Sequence, residues 1–153
     1  MTSIFFVRHA QPDIAWEDDR TRPLTDVGLK DSKIVTAVLE KYTIDVYYSS
    51  PYKRSIDTIR DCADRFKKSI QVDERFRERE KGINSLQYLE KRWQDFSFAE
   101  ENGESLASVQ QRNIEALIEI LNKHPDKNIV IGTHGTALST VLHYYDPSFG
   151  LEG

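Results

Sequence analysis

The chain has 153 residues and a formal net charge of −4, enough for one domain whose hydrophobic core needs no disulfide or metal staple. That charge, with a pI near 5.6, argues against nucleic acid as a partner, which wants a strongly basic face, but it leaves room for a few arginines around a small anion. Cys62 stands alone, so no internal disulfide forms and a reducing cytoplasmic setting is expected; no apolar run reaches the ~18 residues of a membrane span, and IFFV near the N-terminus is too short for a secretory signal.

Residues 3–7 (SIFFV) read as a fully buried strand. A charged loop follows. Thr25 then has the chemistry of a helix N-cap, with Val35, Val38, Leu39 and Tyr42 as the apolar stripe behind it. Residues 44–48 form a second strand. Ser50-Pro51 reads as the next helix start, serine capping and proline in the first turn, with Ile56, Ile59, Ala63 and Phe66 inward. Residues 69–72 make a short third strand, and residues 75–103 are charged and irregular, with Trp93, Phe96 and Phe98 interleaved. A helix over 104–122 turns Leu106, Val109, Ala116, Leu117, Ile120 and Leu121 inward; residues 128–132 (NIVIG) form a fourth strand, and 136–145 a last helix. Strands alternating with helices predict an α/β three-layer sandwich: a single domain over 1–153 with a mostly parallel central sheet.

Ligands of open α/β sheets sit beyond the carboxyl ends of the strands. Here those ends carry Arg8 and His9, then Ser50 and Arg54, then Arg77 and Glu78, then His134 and Gly135. Two histidines, Arg8, Arg54 and a carboxylate at one edge suit phosphoryl transfer. Arginine forks grip phosphate oxygens bidentately, the start of a helix adds backbone donors, a neutral imidazole attacks phosphorus, and a carboxylic acid protonates the leaving oxygen. No Asp, Glu, His or Cys cluster has metal-ligand spacing, so no metal or cofactor is expected.

The motifs resemble those of the histidine phosphatase superfamily, the phosphoglycerate mutase-like fold. FVRHAQ is similar to its opening Arg-His-Gly segment, Pro23-Leu24-Thr25 with Gly28 to its L-T-x-x-G, and SSPYKRSIDT to its S-S-P-x-x-R-x-x-x-T. Phe76-Arg77-Glu78 with Gly82 resembles L-x-E-x-x-x-G. Gly103-Glu104-Ser105 with Arg112 resembles a G-E-S segment and its downstream arginine, and IVIGTHGTAL the second-histidine segment. The resemblance implies that His9 is phosphorylated, that Arg8, Arg54, His134 and Gly135 bind the phosphate, and that Glu78 donates a proton, with His134 in the catalytic set. Ala10 departs from the family's glycine. The family also usually carries a strand after the last helix, beyond the point where this sequence stops.

Several residues have plainer readings. Glu78 lies in a run with Glu74 and Glu80, and its spacing to Gly82 alone singles it out. Cys62 reads as core, His124 as a surface helix C-cap and His143 as structural. Trp93, Phe96 and Phe98 read as core before substrate wall. Ser50 lacks a G-x-S-x-G context and reads as a cap rather than a nucleophile. The leading expectation is a metal-independent phosphatase for a small phosphomonoester or a phosphoprotein. Two alternatives stand beside it: a phosphoglycerate mutase-type phosphotransferase, and a silent relative that binds a phosphorylated ligand. Residues 83–103 are the candidate lid, short for a mutase.

Overall fold

The structure is a computed structural model that describes residues 1–150; residues 151–153 of the expected domain lie outside the described residues. Four strands, β1 (Ser3–Arg8), β2 (Val46–Ser49), β3 (Ile70–Val72) and β4 (Asn128–Thr133), form one sheet in the order β1-β4-β2-β3, every pair parallel. Helices α1 (Asp26–Leu39), α2 (Lys53–Arg65), α4 (Leu106–Lys123) and α5 (Gly135–Tyr145) flank it, and a short α3 (Leu89–Gln94) lies in the segment expected to be irregular.

The apolar runs of the strands are continuous because both faces of the sheet are covered. Ile4, Phe6, Val46, Tyr48, Ile129 and Ile131 pack with Leu117, Ile120 and Val141 of α4 and α5. Their alternates Phe5, Val7, Tyr47 and Val130 pack with Leu39 of α1 and Ile59, Cys62 and Ala63 of α2. Cys62 is fully buried, its Sγ 3.1 Å from the Tyr47 hydroxyl.

Thr25 caps α1 as expected, its Oγ1 accepting from Gly28 N at 3.1 Å. The expected stripe of α1 holds only for Val35 and Leu39. The helix ends at Leu39, before Tyr42, and buries Gly28, Ser32, Thr36 and Leu39, while Val38 is half exposed. Small polar side chains let α1 lie close to α2, where Thr36 Oγ1 donates to Asp61 Oδ2 at 2.7 Å. Phe66 likewise falls outside α2, at its exposed C-cap.

Candidate active site

Backbone bonds carry the strand register past the ends of the strands and so fix the residues just beyond them. His9 N donates to Thr133 O at 3.1 Å, Ser50 N to Gly132 O at 3.0 Å and Asp73 N to Ser49 O at 3.1 Å. The expected helix start at Ser50-Pro51 is therefore displaced. Ser50 still continues the strand, α2 begins at Lys53, and Tyr52 is its N-cap. The Ser50 hydroxyl accepts from Tyr52 N at 3.2 Å and lies 2.7 Å from His134 Nε2, with Ser55 Oγ 3.2 Å from the same nitrogen. Arg54 keeps its expected place in the first turn of α2.

The His9 and His134 rings meet edge to face, centroids 5.3 Å apart. His9 Nδ1 lies 2.9 Å from Ala10 O. A carbonyl only accepts, so Nδ1 carries the hydrogen and Nε2 keeps its lone pair. Burial holds this imidazole below the usual histidine range, and the Arg54 and Arg8 guanidiniums push the same way. The ring is thus neutral near pH 7. His134 has no exposed surface, and burial together with Arg54 pushes it down to about 2. Its Nδ1 is buried without a partner among the described residues.

His9 opens onto a cavity of about 560 Å³ whose wall includes Arg8, Arg54, Tyr52, Asp19, Glu78 and Gly135. His134 lies behind this wall and presents its neighbour Gly135 instead. The Arg8 guanidinium lies against Gly135, where an added Cβ would stand 3.1 Å from Arg8 Cζ. Arg54 is 7% exposed; it stacks over the Tyr52 ring at 4.7 Å, and its Nη1 donates to Asp19 O at 2.8 Å and Asp19 Oδ1 at 3.0 Å. Arg22 Nη1 reaches the same Asp19 oxygen at 3.1 Å.

Glu78 also reaches this cavity. Its Oε1 accepts from Arg79 N at 2.9 Å and from Ala137 N, in the first turn of α5, at 3.2 Å. The Gly82 that singled it out in sequence has a packing role, since a Cβ there would stand 2.1 Å from Glu101 O. A neighbouring hollow of about 320 Å³ shares Glu78, Arg79, Lys81 and Thr136 with the first and adds Ser85, Leu86 and Arg92. Residues 83–103 are tied to this wall by a buried ion cluster. Arg79 grips Glu100 at 2.8 and 2.9 Å, and Arg92 Nη1 reaches Glu100 Oε2 at 3.2 Å.

All the expected site residues thus gather at the carboxyl edge of the sheet. Sequence reading missed Asp19, Arg22, Tyr52, Arg79 and Lys81 on the wall and Ser55 beside His134, and it read Ser50 as a cap; Tyr52 and Ser55 lie within SSPYKRSIDT but at positions that the motif leaves open. His124 occupies the C-cap of α4, but its Nε2 meets the Tyr48 hydroxyl at 2.8 Å instead of capping carbonyls. His143 packs on Phe96 and Trp93, and Trp93 also lines a hollow shared with Arg8 and Gly135. Among the described residues no group of three or more His, Cys, Asp and Glu side chains is placed to hold a metal ion. No helix among them is long and apolar enough to cross a membrane.

Residues 4–149 match the model of the histidine phosphatase superfamily (branch 1). Phosphoserine phosphatase 1 of Hydrogenobacter thermophilus is 29% identical over 150 residues, covering 88% of this chain and 71% of its own length. A phosphatase of Bacillus subtilis, PhoE, is 25% identical over 151 residues, covering 93% and 76%. Bacillus stearothermophilus YhfR shares the fold with a TM-score of 0.80 at 24% identity, covering 96% of this chain and 81% of that one. The mycobacterial glucosyl-3-phosphoglycerate phosphatase does so with a TM-score of 0.77 at 20% identity, covering 91% and 76%. The chain belongs to the histidine phosphatase superfamily, branch 1, and is a phosphoric monoester hydrolase.

Proposed function

We propose that this enzyme hydrolyses small phosphomonoesters in the cytoplasm, without a metal, through a phosphohistidine on His9. The observation that carries the reading is the tautomer of His9. With Nδ1 bonded to Ala10 O, the ring offers an Nε2 lone pair on the wall of a cavity that also holds Arg8, Arg54 and Glu78. Nε2 attacks phosphorus as the P–O ester bond breaks, and protonated Glu78 gives its proton to the departing alkoxide. Water then attacks the phosphohistidine, Glu78 takes one of its protons, the N–P bond breaks, and inorganic phosphate leaves.

Arg8, Arg54 and the first turn of α5 at Gly135 hold the equatorial oxygens, whose charge redistributes during transfer. His134 supports His9 edge-on from behind the cavity wall. Exposed Asp19, Glu80 and Lys81 on the cavity wall give water access to the phosphoenzyme, which favours hydrolysis over transfer to a second substrate. Two relatives are named for phosphoserine and for glucosyl-3-phosphoglycerate, which supports a small phosphorylated metabolite as substrate.

The test is chemical. Enzyme quenched in denaturing alkali after brief exposure to labelled substrate should carry phosphate on His9, in a linkage that acid breaks and alkali spares. His9→Ala should abolish turnover, and Arg54→Ala should lower it by roughly 10²–10³. Label on Ser50 or Cys62, or near-normal turnover by His9→Ala, would overturn the reading.

A further inference from the structure

The G-E-S segment and its downstream arginine reach no part of the catalytic cavity wall, yet they form a densely bonded buried polar pair. Arg112 Nε and Nη2 fork onto Glu104 Oε2 and Oε1, both at 2.9 Å, with the two side chains 10% and 11% exposed. Burial alone would raise the Glu104 carboxyl, but Arg112 and the Ser108 hydroxyl hold it down to about 2, so the pair is charged. The remaining donors of Arg112 face the backbone of the chain that leads to Glu78. Nη1 donates to Arg75 O and Arg77 O, both at 2.7 Å, and Nη2 to Glu78 O at 3.1 Å. Glu104 grips the other side of Glu78. Its Oε1 accepts from Glu80 N at 3.2 Å, and its own N–H donates to Glu80 O at 3.0 Å.

Glu78 lies in neither helix nor strand, so no ladder fixes its backbone. One guanidinium replaces that ladder from behind, while Ala137 N and Arg79 N hold the carboxyl from in front. We propose that Glu104 and Arg112 are a positioning pair that aims Glu78 at the leaving oxygen, an inference that rests on reading Glu78 as the general acid. The fork geometry is essential, since a lysine cannot grip a carboxylate bidentately and three carbonyls together. A misplacement of ~1 Å at a reacting group can cost 10²-fold in rate.

The experiment compares kcat/KM for a nitrophenyl phosphate, whose leaving group departs with little protonation, and an alkyl phosphate, whose alkoxide must be protonated. Glu78→Gln, Glu104→Gln, Arg112→Lys and the double variant Glu78→Gln/Glu104→Gln are measured on both, with melting curves confirming the fold. Glu104→Gln and Arg112→Lys should lose roughly 10–100-fold on the alkyl ester and stay within about threefold of wild type on the aryl ester. The double variant should lose no more on the alkyl ester than Glu78→Gln alone, because Glu104 acts only through Glu78. Should Glu104→Gln fail to fold, Ser108→Ala, which removes the 2.8 Å bond to Glu104 Oε2, should show the same selectivity in milder form.

Equal losses on both esters, or additive losses in the double variant, would overturn the positioning role while Glu78→Gln remained selective. An unselective Glu78→Gln would instead remove the general acid, and the proposal with it.

Discussion

Acid should destabilise this enzyme through His134, and the size of the effect comes from its burial. The side chain has no exposed surface, and its imidazole is pushed down to about 2. In the unfolded chain it titrates near 6.5. Below that pH the unfolded state binds a proton that the folded state refuses, so stability falls as pH falls. The loss runs at about 1.4 kcal/mol per pH unit, which gives about 2 kcal/mol between pH 6.5 and pH 5. Any folded value well under 5 gives the same result, so the figure does not depend on the depth of the shift.

In a domain of this size that loss lowers Tm by roughly 4–8 °C. His9 shifts in the same direction, so the measurement is a difference. Urea or thermal melts of wild type and His134→Gln at pH 8 and pH 5 should show the extra slope in wild type alone. Glu100 and Glu104, both held down to about 2, lose their stabilisation only below their unfolded range near 4.5 and leave this window clean. Equal slopes in the two proteins would show that His134 takes up a proton in the folded state and refute the reasoning.

Gly135→Ala tests Arg8 without touching it. The new Cβ would stand 3.1 Å from Arg8 Cζ and 3.2 Å from its Nε, so a flexible guanidinium moves aside; stability should hold or rise slightly, while inorganic phosphate binds roughly tenfold more weakly by calorimetry. Unchanged phosphate affinity would remove Arg8 from the phosphate site. Glu100→Gln leaves Arg79 and Arg92 buried with no carboxylate, where Arg92 Nε already lacks a partner; urea melts should show a loss of about 3–5 kcal/mol, and a loss below 1 kcal/mol would mean that the cluster does not anchor residues 83–103. Hydrolysis should survive exhaustive EDTA treatment, because the cavity wall brings its own cations in Arg8, Arg22, Arg54 and Lys81. Activity restored only by added magnesium or zinc would contradict that account.

The sheet was legible in the sequence because β2 and β4, and to a lesser degree the edge strand β1, pack on both faces and read as apolar runs. β1 is only partly buried where its run suggested full burial, and β3 at the other edge, with Gln71 and Val72 exposed, shows only as a short run. The site was legible for a related reason. Strand ends are fixed by backbone register, so Arg8, His9, Arg54 and His134 could be placed at one edge from their spacing to those runs alone. Helix faces were less legible. α1 approaches α2 through Ser32 and Thr36, and periodicity in hydrophobicity has no way to mark a face whose partner supplies Asp61.

The least legible parts were those held by polar side chains across long separations. Glu78 stood out among neighbouring acids only by its distance to Gly82, a glycine that serves the packing of residues 101–103. What fixes Glu78 is Arg112, from 34 residues further along the chain, on the buried face of a helix where an arginine looks misplaced. A charged residue among inward positions costs free energy unless every donor finds an acceptor. Arg112 finds Glu104 and three carbonyls on a segment that no ladder supports. An inward arginine paired to the glutamate just before a helix N-cap is therefore a sequence mark of an irregular segment being held in place, and in this chain the segment so held carries the proposed proton donor.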